Sequence, residues 1–295
     1  MPNDKLNLMC GCDLKNDFYE MARESKDFEF SYRKSDNGFN NYFLIRDKYN
    51  PCFNLRVYDY SKMKLFMCNP NRLGLSFLFL LLDNIFIYNS HKDFKITRMD
   101  FNVDIPIPVK RIRDSVYISR KRNFFQYVRD FYANDYIKQY NFSIGKRPEK
   151  FTAYDKIKEI RHRRFQADID EKTIYEEQFG FDEITRLEFK RNGDKLPFRY
   201  LSELSQLKNY DPWENLNFYN VKDMLYERCR IFKRKVNTWG MQKAIKLMGK
   251  DYTRSSFMKY LVEDTNLKEL VHESYYSFLD LFLDHHSMPR IELLN

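Results

Sequence analysis

Glycine and cysteine are scarce in this chain, with 8 Gly and 5 Cys among 295 residues, alongside 9 Pro and 2 Trp. So little glycine and proline excludes collagen-like and Pro/Gly-rich low-complexity chains. The cysteines stand at 10, 12, 52, 68 and 229, with no Cys-x-x-Cys pair and no histidine at zinc-finger spacing. That pattern suits a reducing compartment and gives no zinc site. Cys10-Gly11-Cys12 reads as a segment with free thiols, because a soft-metal site needs a second ligand pair. Long apolar runs are missing too. The stretch 73–87 is broken by Asp83 and Asn84 and falls short of the ~20 residues that span a bilayer, so it is expected to form a buried core helix. The first residues lack a basic head followed by an apolar stretch and a small-residue cleavage site, so the cytoplasm is the expected location, with no membrane partner.

What the chain does have is 43% hydrophobic residues, 17% aromatic residues and 32% charged residues, the composition of a folded domain with a solvated surface. The formal net charge is +9. The basic runs Lys110-Arg111-Ile112-Arg113, Arg120-Lys121-Arg122, Arg161-His162-Arg163-Arg164 and Lys233-Arg234-Lys235 recur between apolar segments. Such spacing suits several phosphate-contacting edges of one body better than a basic tail.

From Asp27 to about Met67, short aromatic and β-branched runs alternate with Asn/Asp/Gly turns, which predicts a strand meander. Residues 95–105 alternate strictly before Pro106 and Pro108 end the run. A helix is expected over the second half of Tyr117–Tyr140. Asn141–Ile144 and Lys150–Lys156 flank a Gly145-Lys146-Arg147-Pro148 turn, a hairpin signal. Thr185–Lys190 predicts a further strand, and beyond Leu201 the pattern is helical. The expected fold is α+β: an antiparallel sheet with packed helices over 1–200, followed by a helical segment over 201–295.

Side chains alternate across a strand, so Met99, Phe101, Val103 and Ile105 form one face, and Arg98, Asp100, Asn102 and Asp104 form the other. An acidic row beside an arginine suits a hard divalent cation or a general base. Asp100 and Asp104 are ~13 Å apart at ~3.3 Å per residue, so a metal site needs Asn102 or a carboxylate from another strand. Glu188, sharing its face with Arg186 and Lys190, is that candidate. The same pattern also suits a solvent-facing sheet surface with cross-strand Arg/Asp and Lys/Glu pairs. On the hairpin, Tyr154 is expected beside Thr152, Lys156 and Lys158, opposite Phe151, Ala153 and Ile157. Cations or a metal there could stabilise a phenolate and the charge developing on a phosphodiester.

In order and spacing these segments resemble the Rep_trans-type replication initiation factors of rolling-circle plasmids and certain filamentous phages, over about Leu65 to Lys190. Thr97–Asp104 looks like that family's Arg-x-Asp-x-x-x-Asp strand. Phe142–Lys156 looks like its aromatic-x-Ile-Gly-Ser-Arg segment followed by a Tyr-acid-Lys strand, and Thr185–Lys190 is similar to its Arg-x-Glu strand. The resemblance implies an origin-binding protein that nicks one DNA strand by tyrosine transesterification, leaving a 3′-hydroxyl primer. It implies Tyr154 as nucleophile with Lys156 beside it, Asp100, Asp104 and Glu188 as ligands for Mg²⁺ or Mn²⁺, and Arg98, Lys146, Arg147, Arg186 and Lys190 against DNA. The implied partners are duplex origin DNA with a single-stranded nick region, a host helicase and a second copy in a homodimer. A noncatalytic origin-binding initiator or regulator is the alternative. Two departures stand out. Lys146 replaces the small residue expected after Gly145, and some family members place the nucleophile just beyond the Tyr-acid-Lys strand, leaving Tyr136 and Tyr140 as reserves.

In the C-terminal segment, Met241–Met248, a Gly249–Asp251 turn and Tyr252–Leu261 read as helix, turn and helix, with Lys243 and Arg254 as candidate DNA contacts. A helical pair that completes the core is the other reading. His285 and His286 read as surface residues.

Overall fold

The computed structural model describes residues 3–18, 20, 24, 28–34, 41–47, 54–60, 63–68, 74–119, 124–126, 141–146, 149–162, 183–223, 227–248 and 258–283. The fold is α+β. In chain order the elements are β1 (Asn3–Cys10), β2 (Asp13–Leu14), β3 (Phe28–Lys34), β4 (Asn41–Asp47), β5 (Asn54–Tyr60), β6 (Met63–Cys68), α1 (Gly74–Ile85), β7 (Phe86–Ile87) and β8 (Lys95–Ile105). There follow α2 (Val109–Ser115), β9 (Val116–Ile118), β10 (Phe124–Gln126), β11 (Asn141–Lys146), β12 (Glu149–Asp155), α3 (Lys156–His162) and β13 (Thr185–Asn192). After a 3-10 segment (Leu201–Asn209) come β14 (Leu216–Val221), α4 (Glu227–Trp239), α5 (Met241–Met248), β15 (Leu261–Glu263) and α6 (Thr265–Leu283).

Ten strands form one antiparallel sheet in the order β10-β11-β12-β13-β8-β1-β6-β5-β4-β3. It consists of two four-strand meanders, β3 to β6 and β10 to β13, joined through the central pair β8–β1. The meander expected over 27–67 and the hairpin at 141–156 are present. β8 is both the longest strand and the centre of the sheet. Met99, Phe101, Val103 and Ile105 are fully buried on one face. Opposite β1, Asn7 pairs with Arg98 but Leu8 pairs with Ile96, so Thr97 is an extra residue. This bulge re-phases the strand and brings Ile96 onto the apolar face, where it is fully buried.

Helices cover that apolar face. α1, the expected core helix, buries Leu75, Leu78, Leu81, Leu82 and Ile85 at helical spacing. α6 buries Leu267, Val271, Tyr275 and Leu279 at every fourth position, and the Tyr275 ring meets Phe101 at 6.3 Å. Trp213 stacks edge-on against Phe189 and Tyr275. Asp264 starts α6: its Oδ1 accepts from the Leu267 amide at 3.2 Å, and its Oδ2 accepts from Arg111 at 2.9 Å and Asn220 at 3.0 Å. One carboxylate thus caps a helix and ties it to α2 and β14.

The region beyond Leu201 is not purely helical. β14 and β15 pair there, and β14 also pairs with β9, so a three-stranded sheet joins the C-terminal segment to the preceding residues. β15 begins at Leu261, where the second helix of the expected helix-turn-helix was to end; residues 249–257 of that motif lie outside the described residues. The helix expected over the second half of Tyr117–Tyr140 also lies outside them, and β9 and β10 fall in the described part of the first half.

A second core is built from Tyr117, Phe232, Val236, Met241, Ala244, Met248 and Leu261. It seats α4 and α5 on the small sheet. Gly240 joins the two helices with φ +79°, and a Cβ there would come within 2.8 Å of the Arg113 carbonyl oxygen. Only glycine fits that turn. Arg113 donates to the Asn237 carbonyl at 3.0 Å, placing a cation at the C-terminal end of α4. Gln242 on α5 accepts from the Ile118 amide at 2.8 Å and donates to the Ile118 carbonyl at 3.2 Å.

Candidate functional site

The strands that carried the sequence pattern are neighbours. β11, β12, β13 and β8 lie side by side, and their registers align the polar side chains of one face in rows. The first row is Asn141, Tyr154, Arg186 and Asp104. The second is Ser143, Thr152, Glu188 and Asn102. The third is Gly145, Lys150, Lys190 and Asp100. Neighbours within a row are ~4.8 Å apart, and successive rows are ~7 Å apart. Asp100, Asp104, Glu188 and Tyr154 therefore share one face of one sheet.

This face is not the solvent-facing surface that charge alternation suggested. Asp100 and Asn102 are fully buried, Asp104 is 2% exposed, Arg186 3% and Glu188 7%. Charges so far from water need partners. Arg186 supplies a two-pronged one, with Nε to Asp104 Oδ1 at 2.7 Å and Nη2 to Oδ2 at 2.8 Å. Half-buried Arg98 grips Asp100 in the same forked manner, with Nε to Oδ1 at 2.7 Å and a second, shorter contact from Nη2 to Oδ2. Lys190 pairs with Glu188 at 3.0 Å. Forked arginine–carboxylate pairs fix both groups in orientation as well as in charge.

Between these pairs lies a set of buried polar atoms without hydrogen-bond partners: both amide atoms of Asn102, and the hydroxyls of Thr152 and Ser143. Together with Asn141 Oδ1 and Asn7 Oδ1, they all belong to the polar face. An unsatisfied buried polar atom costs ~1–3 kcal/mol, so their concentration here is a cost concentrated at one place. Every one of them is an oxygen donor or an amide, the ligand chemistry of a hard cation or a hydrogen-bonding substrate.

The three carboxylates expected to hold a metal do not close into a cage. Among the described residues no group of three His, Cys, Asp or Glu side chains is assembled. Asp100 and Asp104 flank the central row, each held by an arginine, and Glu188 stands between them beside Asn102. Arg186, expected against DNA, is buried on Asp104.

Lys156 requires a correction. It was expected on the strand beside Tyr154, but the strand ends at Asp155 and Lys156 opens α3. The Asp155 carboxylate accepts from the Lys158 amide at 2.9 Å, capping the helix, and the Lys156 amide donates to the Ile184 carbonyl at 2.8 Å. The Lys156 side chain is buried and meets Glu159 at 2.9 Å. The Asp155 cap was readable from sequence as an acidic residue directly before a helical run.

Of the remaining candidates, Lys146 is exposed at the end of β11, just after Gly145, whose φ is +91°. Lys243 lies on α5, its ammonium 3.6 Å from the Trp239 ring centroid. Arg147, Arg254, Tyr136, Tyr140, His285 and His286 lie outside the described residues. Ser143 and Thr152 were not singled out from the sequence, although their alternation with Phe142, Ile144, Phe151 and Ala153 assigns them to the polar face.

No protein-family model matches this chain, and a comparison with curated proteins finds no match.

Proposed function

We propose that this protein is a DNA-nicking replication initiator whose Tyr154 exchanges a DNA phosphodiester for a tyrosyl phosphodiester. The observation that carries the reading is the alignment of Tyr154, Glu188 and the Asp100–Asp104 strand on one face of adjacent strands, around the unpartnered Asn102. In the proposed step the Tyr154 phenol oxygen bonds to phosphorus and the bond from phosphorus to the 3′ oxygen breaks. The phenol proton passes to solvent water, and the departing 3′ oxygen takes a proton from water to become the primer hydroxyl. Arg186, beside Tyr154 in its row, contributes positive charge where the phosphoryl oxygens gather negative charge. Glu188 and the Asn102 amide oxygen fit a hard cation such as Mg²⁺ or Mn²⁺, which when bound supplies Lewis-acid stabilisation to the phosphoryl group. Asp100 and Asp104 then act by holding Arg98 and Arg186.

The test incubates the full chain with pooled single-stranded oligonucleotides and with supercoiled DNA, in Mg²⁺ or Mn²⁺. A detergent-resistant protein–DNA adduct with a free 3′-hydroxyl is expected, and Tyr154→Phe should abolish it. Absence of an adduct and of relaxation in both metals sinks the enzymatic reading. The forked occupation of Asp100 and Asp104 by arginines favours one alternative, a noncatalytic DNA-binding initiator or regulator, for which DNA binding without an adduct is the expected result.

A further inference from the structure

The chain's positive charge is not spread evenly. Residues 227–248, which are α4, Gly240 and α5, carry Arg228, Arg230, Lys233, Arg234, Lys235, Lys243 and Lys246 against the single carboxylate of Glu227. That is a formal +6, compared with +9 for the whole chain. The unit packs on the small sheet through the second core, and none of the residues of that core belongs to the polar rows.

Three of these cations are distinctive. Lys233 is paired with Asp223, and Lys243 is held over Trp239. Arg230, Arg234 and Lys235 have no acidic partner among the described residues, and both arginines are exposed. α4 buries Cys229, Phe232 and Val236, so Arg230 and Arg234, one turn apart, project from the opposite face. Ile231 at 38% exposure lies between them, and Trp239 at 42% closes the helix.

Charge complementarity selects the partner. A cationic helix that lies on an anionic bilayer needs a broad apolar face to insert, and the apolar face of α4 is already buried in the protein. A single-strand site needs a row of aromatic platforms, and Trp239 is the one exposed aromatic on the helix. An exposed helix face with arginines one turn apart that have no acidic partner among the described residues suits the phosphate rails of a duplex. We infer that the exposed face of α4, centred on Arg230, Arg234 and Lys235, docks double-stranded DNA through its phosphates, as a second nucleic-acid surface separate from the polar rows. The inference deepens the DNA-handling reading and rests on it.

Binding of the full chain to a fluorescent random-sequence DNA duplex is followed by anisotropy across a salt series in EDTA, where strand cleavage is off. Arg230→Gln/Arg234→Gln should lower the slope of log K against log salt by about 2, at ~0.9 per phosphate contact, and weaken binding roughly tenfold. The matched double variant Lys195→Gln/Lys208→Gln, which removes two charges from another surface, should leave the slope unchanged. Equal slopes for the wild type and the α4 variant overturn the proposal. So does tighter binding to a single strand, to duplex RNA or to equimolar phosphatidylserine/phosphatidylcholine vesicles. Because binding is read without metal, loss of duplex docking and loss of the tyrosyl adduct are separate results.

Discussion

On the polar face of the sheet, Arg98, Arg186 and Lys190 each hold a carboxylate, whereas on α4 Arg230 and Arg234 stand in solvent, holding none among the described residues. The two regions use the same residue types for opposite ends. A buried pair fixes geometry, because neither member can leave without stranding the other away from water. An exposed, unpaired cation has only its hydration to give up, so it can answer a distant phosphate. Their distribution therefore separates a surface built for position from one built for attraction.

The comparison breaks most sharply at the buried pair. Arg186→Met leaves Asp104 buried without its fork and should cost about 3–5 kcal/mol in urea unfolding, whereas Arg186→Met/Asp104→Leu should regain most of that loss. If the single and double variants lose equally, the pair is not what holds this face. Next in size is Asn102→Leu, which removes two unsatisfied atoms at nearly constant volume. It should raise stability by about 1 kcal/mol while abolishing adduct formation; a loss of stability would mean that the amide has a structural partner. For Arg230→Gln/Arg234→Gln the change in unfolding free energy should stay within about 0.5 kcal/mol, because exposed cations contribute little to the fold.

The smallest effect concerns Cys12, where burial pushes the thiol from 9.0 up to about 12. As pH rises past about 9, the unfolded chain loses this proton first, so the thiol's contribution to stability should decline between about 9 and 12. Iodoacetamide should label Cys12 slowly at pH 8 in the folded chain and quickly in urea. Equal rates would place this thiol in the open.

Much of this site could be read from alternation alone. Period two put Asp100 and Asp104 on one face and Glu188 on another strand with the same design, and the hairpin signal placed Tyr154 nearby. Alternation names faces but not what lies over them, so the withdrawal of Asp100, Asn102 and Asp104 from water was not legible. Nor was β1, whose polar opening residues carry little pattern and whose place between β8 and β6 depends on contacts distant in sequence. β14 was missed for a related reason. Leu216, Phe218 and Asn220 alternate over only six residues, too few to stand out among helical neighbours.

Gln242 has a consequence beyond seating α5. By bonding both the amide and the carbonyl of Ile118, its side chain takes the position that another polypeptide backbone would occupy along β9. The small sheet is thereby blocked on that side against strand addition from a neighbouring molecule. A glutamine reads as an ordinary helix residue, yet here it serves as a guard against self-association, and a shorter side chain such as alanine would reopen that side to aggregation.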